Sequence, residues 1–242
     1  MSTLVRLPGG GTAVAAYVSR IEAVPAAVAS LDLPVPSPVL VLVGGANALT
    51  DEIAESLAPL FADVIAPAVR RHHAIAVDGG TDSGVMRLMG RALNGHPLVG
   101  VAALGTVSFP GHPGEPIADS APLDPHHTHF VLVEPGREWG EDVPYIAAVA
   151  SGLAGSAPSV TLLINGGDVS VTDAEESLAA GRPVLVVSGT GRTADKIAAA
   201  ASDPAGCGDE RLVAIAASPL VRVTALTDHP ALAAHLAEAL AG

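Results

Sequence analysis

Val39-Leu40-Val41-Leu42-Val43-Gly44-Gly45-Ala46-Asn47 is an unbroken apolar run that ends in a glycine pair and a helix-capping asparagine. A run without polar alternation is expected of a strand covered on both faces, the usual condition inside a parallel sheet. A glycine turn and an N-cap directly behind it call for a helix, and Thr50 to Val69 carries the apolar periodicity of one.

The same unit recurs on the C-terminal side. Apolar runs at Ala74 to Val77, Leu98 to Ala102, His129 to Val133, Val160 to Ile164, Val184 to Val187 and Val221 to Ala225 predict strands. Ala-rich stretches at Ser83 to Leu93, Val143 to Leu153, Val171 to Ala180, Thr193 to Ala200 and Pro230 to Leu240 predict the intervening helices. Gly95 and Gly181 stand where helix C-caps are needed, and Pro97 and Pro183 open the next strands. Repeated βα units predict an α/β fold, a Rossmann-like and mostly parallel sheet with helices on both faces, built as a single domain over residues 1–242. With 49% hydrophobic and only 2% aromatic residues, its core must be filled by Ala, Val, Leu and Ile. Upstream, Thr3 to Tyr17 predicts a hairpin turning at Pro8-Gly9-Gly10-Gly11. Thr106 to Thr128, with Pro110, Pro113, Pro116, Pro122 and Pro125, breaks the rhythm and is expected to be a structureless segment, either a lid over the site or an insertion.

Composition excludes several partners. With 12 basic against 25 acidic residues the net charge is −13, and the single lysine, Lys196, stands apart from the scattered arginines, so neither nucleic acid nor an anionic lipid surface is expected. Phosphate remains within reach of an acidic protein, because helix N-termini supply local positive potential. Cys207 is alone, which rules out an intrachain disulfide and a multi-cysteine zinc site and fits a reducing cytoplasm. Met1 to Arg6 lacks a signal-peptide core, and no apolar run approaches the roughly 18 residues that spanning needs, so the expectation is a cytoplasmic protein without membrane contact. The Ala-rich helices predict a homodimer or higher homo-oligomer.

Glycine-bearing turns follow four predicted strands: Gly44-Gly45-Ala46-Asn47, Asp78-Gly79-Gly80-Thr81-Asp82-Ser83-Gly84, Asn165-Gly166-Gly167-Asp168 and Ser188-Gly189-Thr190-Gly191-Arg192. Strand C-termini of a parallel sheet share one edge, so the turns can converge on one ligand with helix N-termini aimed at it. Each turn taken singly also fits a plain strand-to-helix reversal. Gly44, Gly45, Ala46, Asn47, Gly79, Gly80, Thr81, Ser83, Gly166, Gly167, Gly189, Thr190, Gly191 and Arg192 are therefore the binding candidates, with Arg192 the best-placed cation for a phosphate. Neither G-x-G-x-x-G nor the P-loop spacing is present, and no cofactor is expected. His126, His127 and His129 suit anchoring of the long segment better than metal ligation, and no metal site is expected.

The residues also carry a resemblance. Val41-Leu42-Val43-Gly44-Gly45-Ala46, Asp78 to Met86, Val99 to Val107, Leu123 to Val133, Asn165-Gly166-Gly167 and Ser188 to Asp195, in this order within Val39 to Ile197, resemble the SLOG superfamily. More narrowly they resemble its prokaryotic LSDAT group, and they are similar to the cytosolic N-terminal domain of TRPM cation channels. The resemblance implies a Rossmann-like pocket for a phosphate-bearing, nucleotide-derived ligand, ADP-ribose-like or a nucleoside phosphate, and it adds Gly105 and Thr106 to the ligand-binding candidates. Where the channel that binds ADP-ribose has arginines after the Gly-Thr-Val block, this chain has Ser108-Phe109-Pro110.

A more distant similarity, to LOG-type hydrolases of nucleotide N-glycosidic bonds, supplies catalytic candidates. Their pattern P-G-G-x-G-T-x-x-E, laid on Asn165 to Asp173, keeps Gly166 and Gly167 and puts Asp173 in place of the glutamate, with Glu176 one helical turn on. Both carboxylates also suit the first turns of a helix for electrostatic reasons alone. The Arg-Lys pair of that branch has no counterpart here. Binding or sensing of a nucleotide-type small molecule is the leading expectation, a hydrolase the alternative, and a purely structural subunit the third.

Overall fold

The computed structural model describes residues 1–45, 49 and 51–241. Strands β1 (Ser2–Arg6) and β2 (Thr12–Val18) make the expected hairpin, closed by the Leu7 N–H donating to Gly11 O at 2.8 Å. Helix α1 (Val24–Ser30), strand β3 (Val39–Gly44), helix α2 (Asp51–Leu60), a π-helical turn at Phe61–Ile65 and helix α3 (Ala66–Arg71) follow. Next come β4 (Ile75–Asp78), α4 (Gly84–Leu93), β5 (Leu98–Ala103), β6 (Val107–Ser108), β7 (Ala121–Pro122) and β8 (His129–Val133). The chain ends with α5 (Val143–Ala154), β9 (Ser159–Ile164), α6 (Asp168–Ala179), β10 (Val184–Ser188), α7 (Arg192–Ser202), α8 (Glu210–Ala216), β11 (Val221–Ala225) and α9 (His229–Ala241).

Nine strands form one sheet in the order β1-β2-β8-β5-β4-β3-β9-β10-β11, antiparallel only between β1 and β2. From β3 the chain steps outward through β4 and β5 to β8, then returns to β9 on the opposite flank of β3 and continues to β10 and β11. This reversal between β3 and β9 opens a crevice at the strand C-termini, where Rossmann-like folds take their ligands. Alternation assigns the core: Val39, Val41 and Val43 face α1, α5, α6 and α7, while Leu40 and Leu42 face α2, α4 and α9. The inner strands are thus covered on both faces, which is why they are almost wholly apolar.

The expected helix over Thr50 to Val69 is realised as α2, the π turn and α3. Pro67 has no N–H for Asp63 O four residues back, and the widened Ala66 N–H to Phe61 O bond accommodates the ring. Helices α1 and α8 were not expected, and α6 begins at Asp168 rather than Val171. The segment from Thr106 to Thr128 is not structureless. It pairs β6 with β7, bridges Leu123 to Thr81, and buries Val107, Phe109 and Leu123 in a third core with β1, β2 and β8. Among the described residues, no helix is long and apolar enough to cross a membrane.

Candidate functional site

The crevice starts from a close approach. Gly44 pairs with Ile164 across β3 and β9, and a Cβ on it would collide with the Ile164 carbonyl and Val85; a Cβ on Gly45 would strike the Asn165 side chain. Bare backbone here lets three turns close on a cavity of about 330 Å³. Gly44, Gly45, Gly79 and Thr81 form one wall, and the start of α6 (Gly167, Asp168, Val169, Ser170) faces it. Leu42, Met86 and Ile146 supply apolar surface, and Arg192, Trp139, Gly140 and Asp142 complete the lining.

Buried polar bonds fix the turns against one another. Asn165 sits at φ 60 and donates its N–H to Thr190 Oγ1 at 2.8 Å and its Nδ2 to Thr190 O at 2.6 Å. Thr193 Oγ1 donates to Gly167 O at 2.9 Å. In the turn after β10, the Asp195 carboxylate accepts from Gly189 N–H at 2.5 Å and Gly191 N–H at 3.0 Å, so those amides are already satisfied. The turn after β9 is different: Gly167 N–H donates to Ser170 Oγ at 3.3 Å, whereas the N–H groups of Asp168 and Val169 have no acceptor among the described residues. Arg192 Nη2 lies 3.1 Å from where a Cβ on Gly167 would stand, and its guanidinium makes no ion pair or hydrogen bond among the described residues.

Behind Gly79 and Thr81 lies a buried charge cluster. His127 donates from Nε2 to Asp78 Oδ1 at 2.8 Å and from Nδ1 to Asp124 Oδ1 at 3.0 Å, and Asp78 Oδ1 also accepts Gly80 N–H at 2.7 Å. Burial pulls the imidazole pKa down, but the carboxylates of Asp78 and Asp124 outweigh it and hold the pKa at about 9. His127 is therefore an imidazolium that ties the long segment to the β4 turn.

Asp142, Asp168 and Asp173 line the cavity. Asp173 is nine-tenths buried, its Oδ1 has no partner, and burial reinforced by Asp142 and Glu176 pushes its pKa well above the usual carboxylate range. Burial also raises Asp142 to about 6. Two carboxyls whose neutral forms are favoured by burial are groups suited to giving and taking protons.

Of the residues named from sequence, Gly44, Gly45, Gly79, Thr81, Gly167, Arg192 and Asp173 line this cavity. Ala46 and Asn47 lie outside the described residues. Gly80, Ser83, Gly105, Thr106, Gly166, Gly189, Thr190, Gly191 and Glu176 are not among the lining residues. Gly80 faces Gly100 and Phe130, Ser83 Oγ bonds Thr81 Oγ1 at 2.9 Å, and Gly105 N–H donates to Gly136 O at 2.6 Å. Thr106 Oγ1 donates to Ala103 O at 2.9 Å, and Gly166 packs on Ser170 and Thr193. No described residue from Thr106 to Thr128 lines the cavity, so the lid expected there is instead a cover over the sheet flank. Sequence reasoning missed Trp139, Asp142, Asp168 and Val169. Asp142 stood immediately before Val143-Pro144, an N-cap and early-proline signal that puts a further helix N-terminus at the same sheet edge.

Residues 37–234 match the family described as SLOG in TRPM, prokaryote. The chain belongs to that family. Among similar proteins, the transient receptor potential cation channel subfamily M member 2 of Rattus norvegicus is 26% identical over 209 residues, covering 71% of this chain and 14% of the channel. The subfamily M member-like 2 channel of Nematostella vectensis is 26% identical over 211 residues, covering 69% of this chain and 13% of its own length. This SLOG chain therefore spans a small fraction of the length of those relatives.

Proposed function

We propose that the cavity binds a phosphate-bearing, nucleotide-derived small molecule, with ADP-ribose and nucleoside monophosphates as the first candidates. The observation that carries this reading is an anion seat: two α6 N–H groups, of Asp168 and Val169, beside the Arg192 guanidinium, none of them with a hydrogen-bond partner among the described residues. A helix N-terminus favours negative charge, and a charge-assisted bond to phosphate adds to it. Three aspartates share the cavity, yet burial favours the neutral form of Asp173, which lowers the repulsion an arriving phosphate meets. Membership of the SLOG in TRPM family supports the same class of ligand. The test is calorimetric titration with ADP-ribose, AMP and ribose 5-phosphate, together with thermal unfolding. Saturable binding should stabilise the protein by about 2.7 kcal/mol at a hundredfold excess over Kd. No binding of any of the three at millimolar concentration would end the proposal.

The pair Asp142 and Asp173 favours a second reading, hydrolysis of the ligand's N-glycosidic bond with Asp173 as acid and Asp142 as the carboxylate that activates water. Glu176, outside the cavity lining, acts in this reading only through its charge on Asp173. Chromatography of AMP incubations decides it: base release abolished in Asp173→Asn and Asp142→Asn supports hydrolysis, and an intact nucleotide after prolonged incubation leaves binding alone.

A further inference from the structure

We infer that the chain forms a two-fold dimer by pairing β1 with β1 of a second copy, Leu4 standing opposite its own counterpart. The inference is independent of what the cavity binds.

Strand β1 ends the nine-stranded sheet and is paired with β2 on one side alone. Neighbouring bonds fix where its backbone groups point. Leu7 donates its N–H to Gly11 O and accepts from Gly10 N–H, so by antiparallel alternation Val5 and Thr3 also turn their groups toward β2. Val14, directly opposite Leu4, donates instead to Thr128 O at 3.1 Å, on the side of β8. Ser2, Leu4 and Arg6 therefore aim their N–H and C=O groups at the free edge, where they have no partner among the described residues.

Such an edge is a template for another strand, and the usual guards against pairing are missing from its middle. Strand β1 has neither proline nor lysine, and its one charge, Arg6, stands at its end. The opposite edge strand, β11, carries Arg222 in an ion pair with Glu238 at 2.8 Å. Leu4, at the centre of β1, is 69% exposed.

Charge and register both favour a second copy as the occupant. The chain has 25 acidic residues, yet none precedes Glu22, so two molecules of net charge −13 meet with least repulsion at this hairpin. Antiparallel pairing centred on Leu4 overlaps all five residues of β1, sets Thr3 against Val5 and Ser2 against Arg6, and engages every outward group. A centre at Arg6 would oppose two guanidinium groups, and one at Ser2 would leave most of the strand unpaired. The two-fold axis then stands normal to the sheet and reverses strand direction. The crevices between β3 and β9, set away from β1 across the sheet, therefore open at opposite edges of the dimer and stay accessible.

The experiment is sedimentation velocity of the full chain, without ligand, from low micromolar to millimolar concentration. Pairing of five-residue strands is a small interface, so the expected result is a monomer–dimer equilibrium with a Kd on the order of ten micromolar. Leu4→Pro removes an outward N–H, a position at which an edge strand accepts proline. It should weaken association roughly tenfold or more, the equivalent of one or two lost hydrogen bonds, and leave the thermal melt unchanged. Leu4→Cys in a Cys207→Ser background should give a disulfide-linked dimer under mild oxidation, because opposed Cα atoms of a hydrogen-bonded antiparallel pair stand about 5.5 Å apart. Arg6→Cys in the same background faces Ser2 of the other copy and should stay unlinked. Where Leu4→Pro lowers the melt, the cross-link decides. A monomer at millimolar concentration, a dimer unaffected by Leu4→Pro, or linkage through Arg6→Cys but not Leu4→Cys each overturns the inference.

Discussion

Gly79 and Gly80 are adjacent in one turn, yet substitution should separate binding from folding between them. At Gly79 a new side chain meets nothing within 4 Å and the residue borders the cavity, so Gly79→Val extends into ligand space without backbone conflict. Its effect on stability should stay within about 0.5 kcal/mol, as for substitutions that touch no packed group. Gly80 has φ +70, and a Cβ there would lie 2.9 Å from both Gly100 Cα and Phe130 Cε1. A left-handed residue other than glycine costs roughly 1–2 kcal/mol, and overpacking adds roughly 1–3 kcal/mol. Gly80→Ala should therefore lose about 2–5 kcal/mol. For a domain of this size that is a fall in Tm on the order of 10 °C. Circular-dichroism melts and calorimetric titration with ADP-ribose on both variants give the two readouts. Gly79→Val should melt with wild type and bind at least tenfold more weakly. Wild-type affinity in Gly79→Val, or a wild-type Tm in Gly80→Ala, would refute the assignment of these glycines to their two roles.

Other outcomes follow from the site. Arg192→Ala should weaken phosphate-bearing ligands about ten- to a hundredfold, the 1.5–3 kcal/mol of a charged hydrogen bond, with Tm unchanged because the guanidinium has no protein partner among the described residues; equal calorimetric affinity for both proteins would contradict this. The pKa of His127 is raised from 6.5 to about 9, so the native state holds the proton more tightly: its stabilisation is complete below about pH 6.5 and is lost as pH rises through 9. Urea unfolding should lose about 3 kcal/mol over that window, and His127→Gln should abolish that slope. Asp142 and Asp173 are also raised, so they too favour the native state at low pH; the contribution of Asp142 is lost as pH rises through about 6, and that of Asp173 as its own carboxyl ionises. Asp173→Asn should then raise Tm at pH 8, and a lower Tm would show that the carboxylate is stabilised by something other than the groups named here. Phosphate binding next to these carboxyls should take up protons, seen as buffer-dependent heats that vanish in the Asp142→Asn, Asp173→Asn double variant.

Strands were the most legible elements, because burial on both faces leaves an unbroken apolar run such as Val39 to Val43 that the polypeptide can form in few other ways. Short helices were not. Helix α1 offers only seven residues with a proline at its start, too few turns for periodicity to accumulate. Helix α8 is equally short, although Asp209, which accepts from Arg211 and Leu212 N–H groups, was a readable N-cap. The long proline-rich segment read as structureless because its order comes from distant partners, with Leu123 against Thr81 and Phe109 in a core shared with β1 and β2. At the site, the shared edge of the glycine turns was legible from strand direction. Which glycines border open space was not, because it depends on what stands across the sheet: Phe130 behind Gly80, nothing beyond Gly79. Trp139 lacked any local motif, and its place in the cavity depends on tertiary neighbours, with the next residue, Gly140, lying beside Val169 of α6.

Asp195 occupies the Gly189 and Gly191 amides as an incoming anion would. The turn after β10 is therefore in its satisfied state before any ligand arrives, and apart from Arg192 it has nothing to rearrange. Strand β11 pairs with β10 behind that closed turn, and α9 packs into the core beneath it, away from the cavity lining. In the proposed binding mode the parts left for a ligand to engage are the α6 amides that have no acceptor among the described residues and the Trp139 loop that leads into α5. A tag or fusion placed on α9 should therefore leave ligand binding intact.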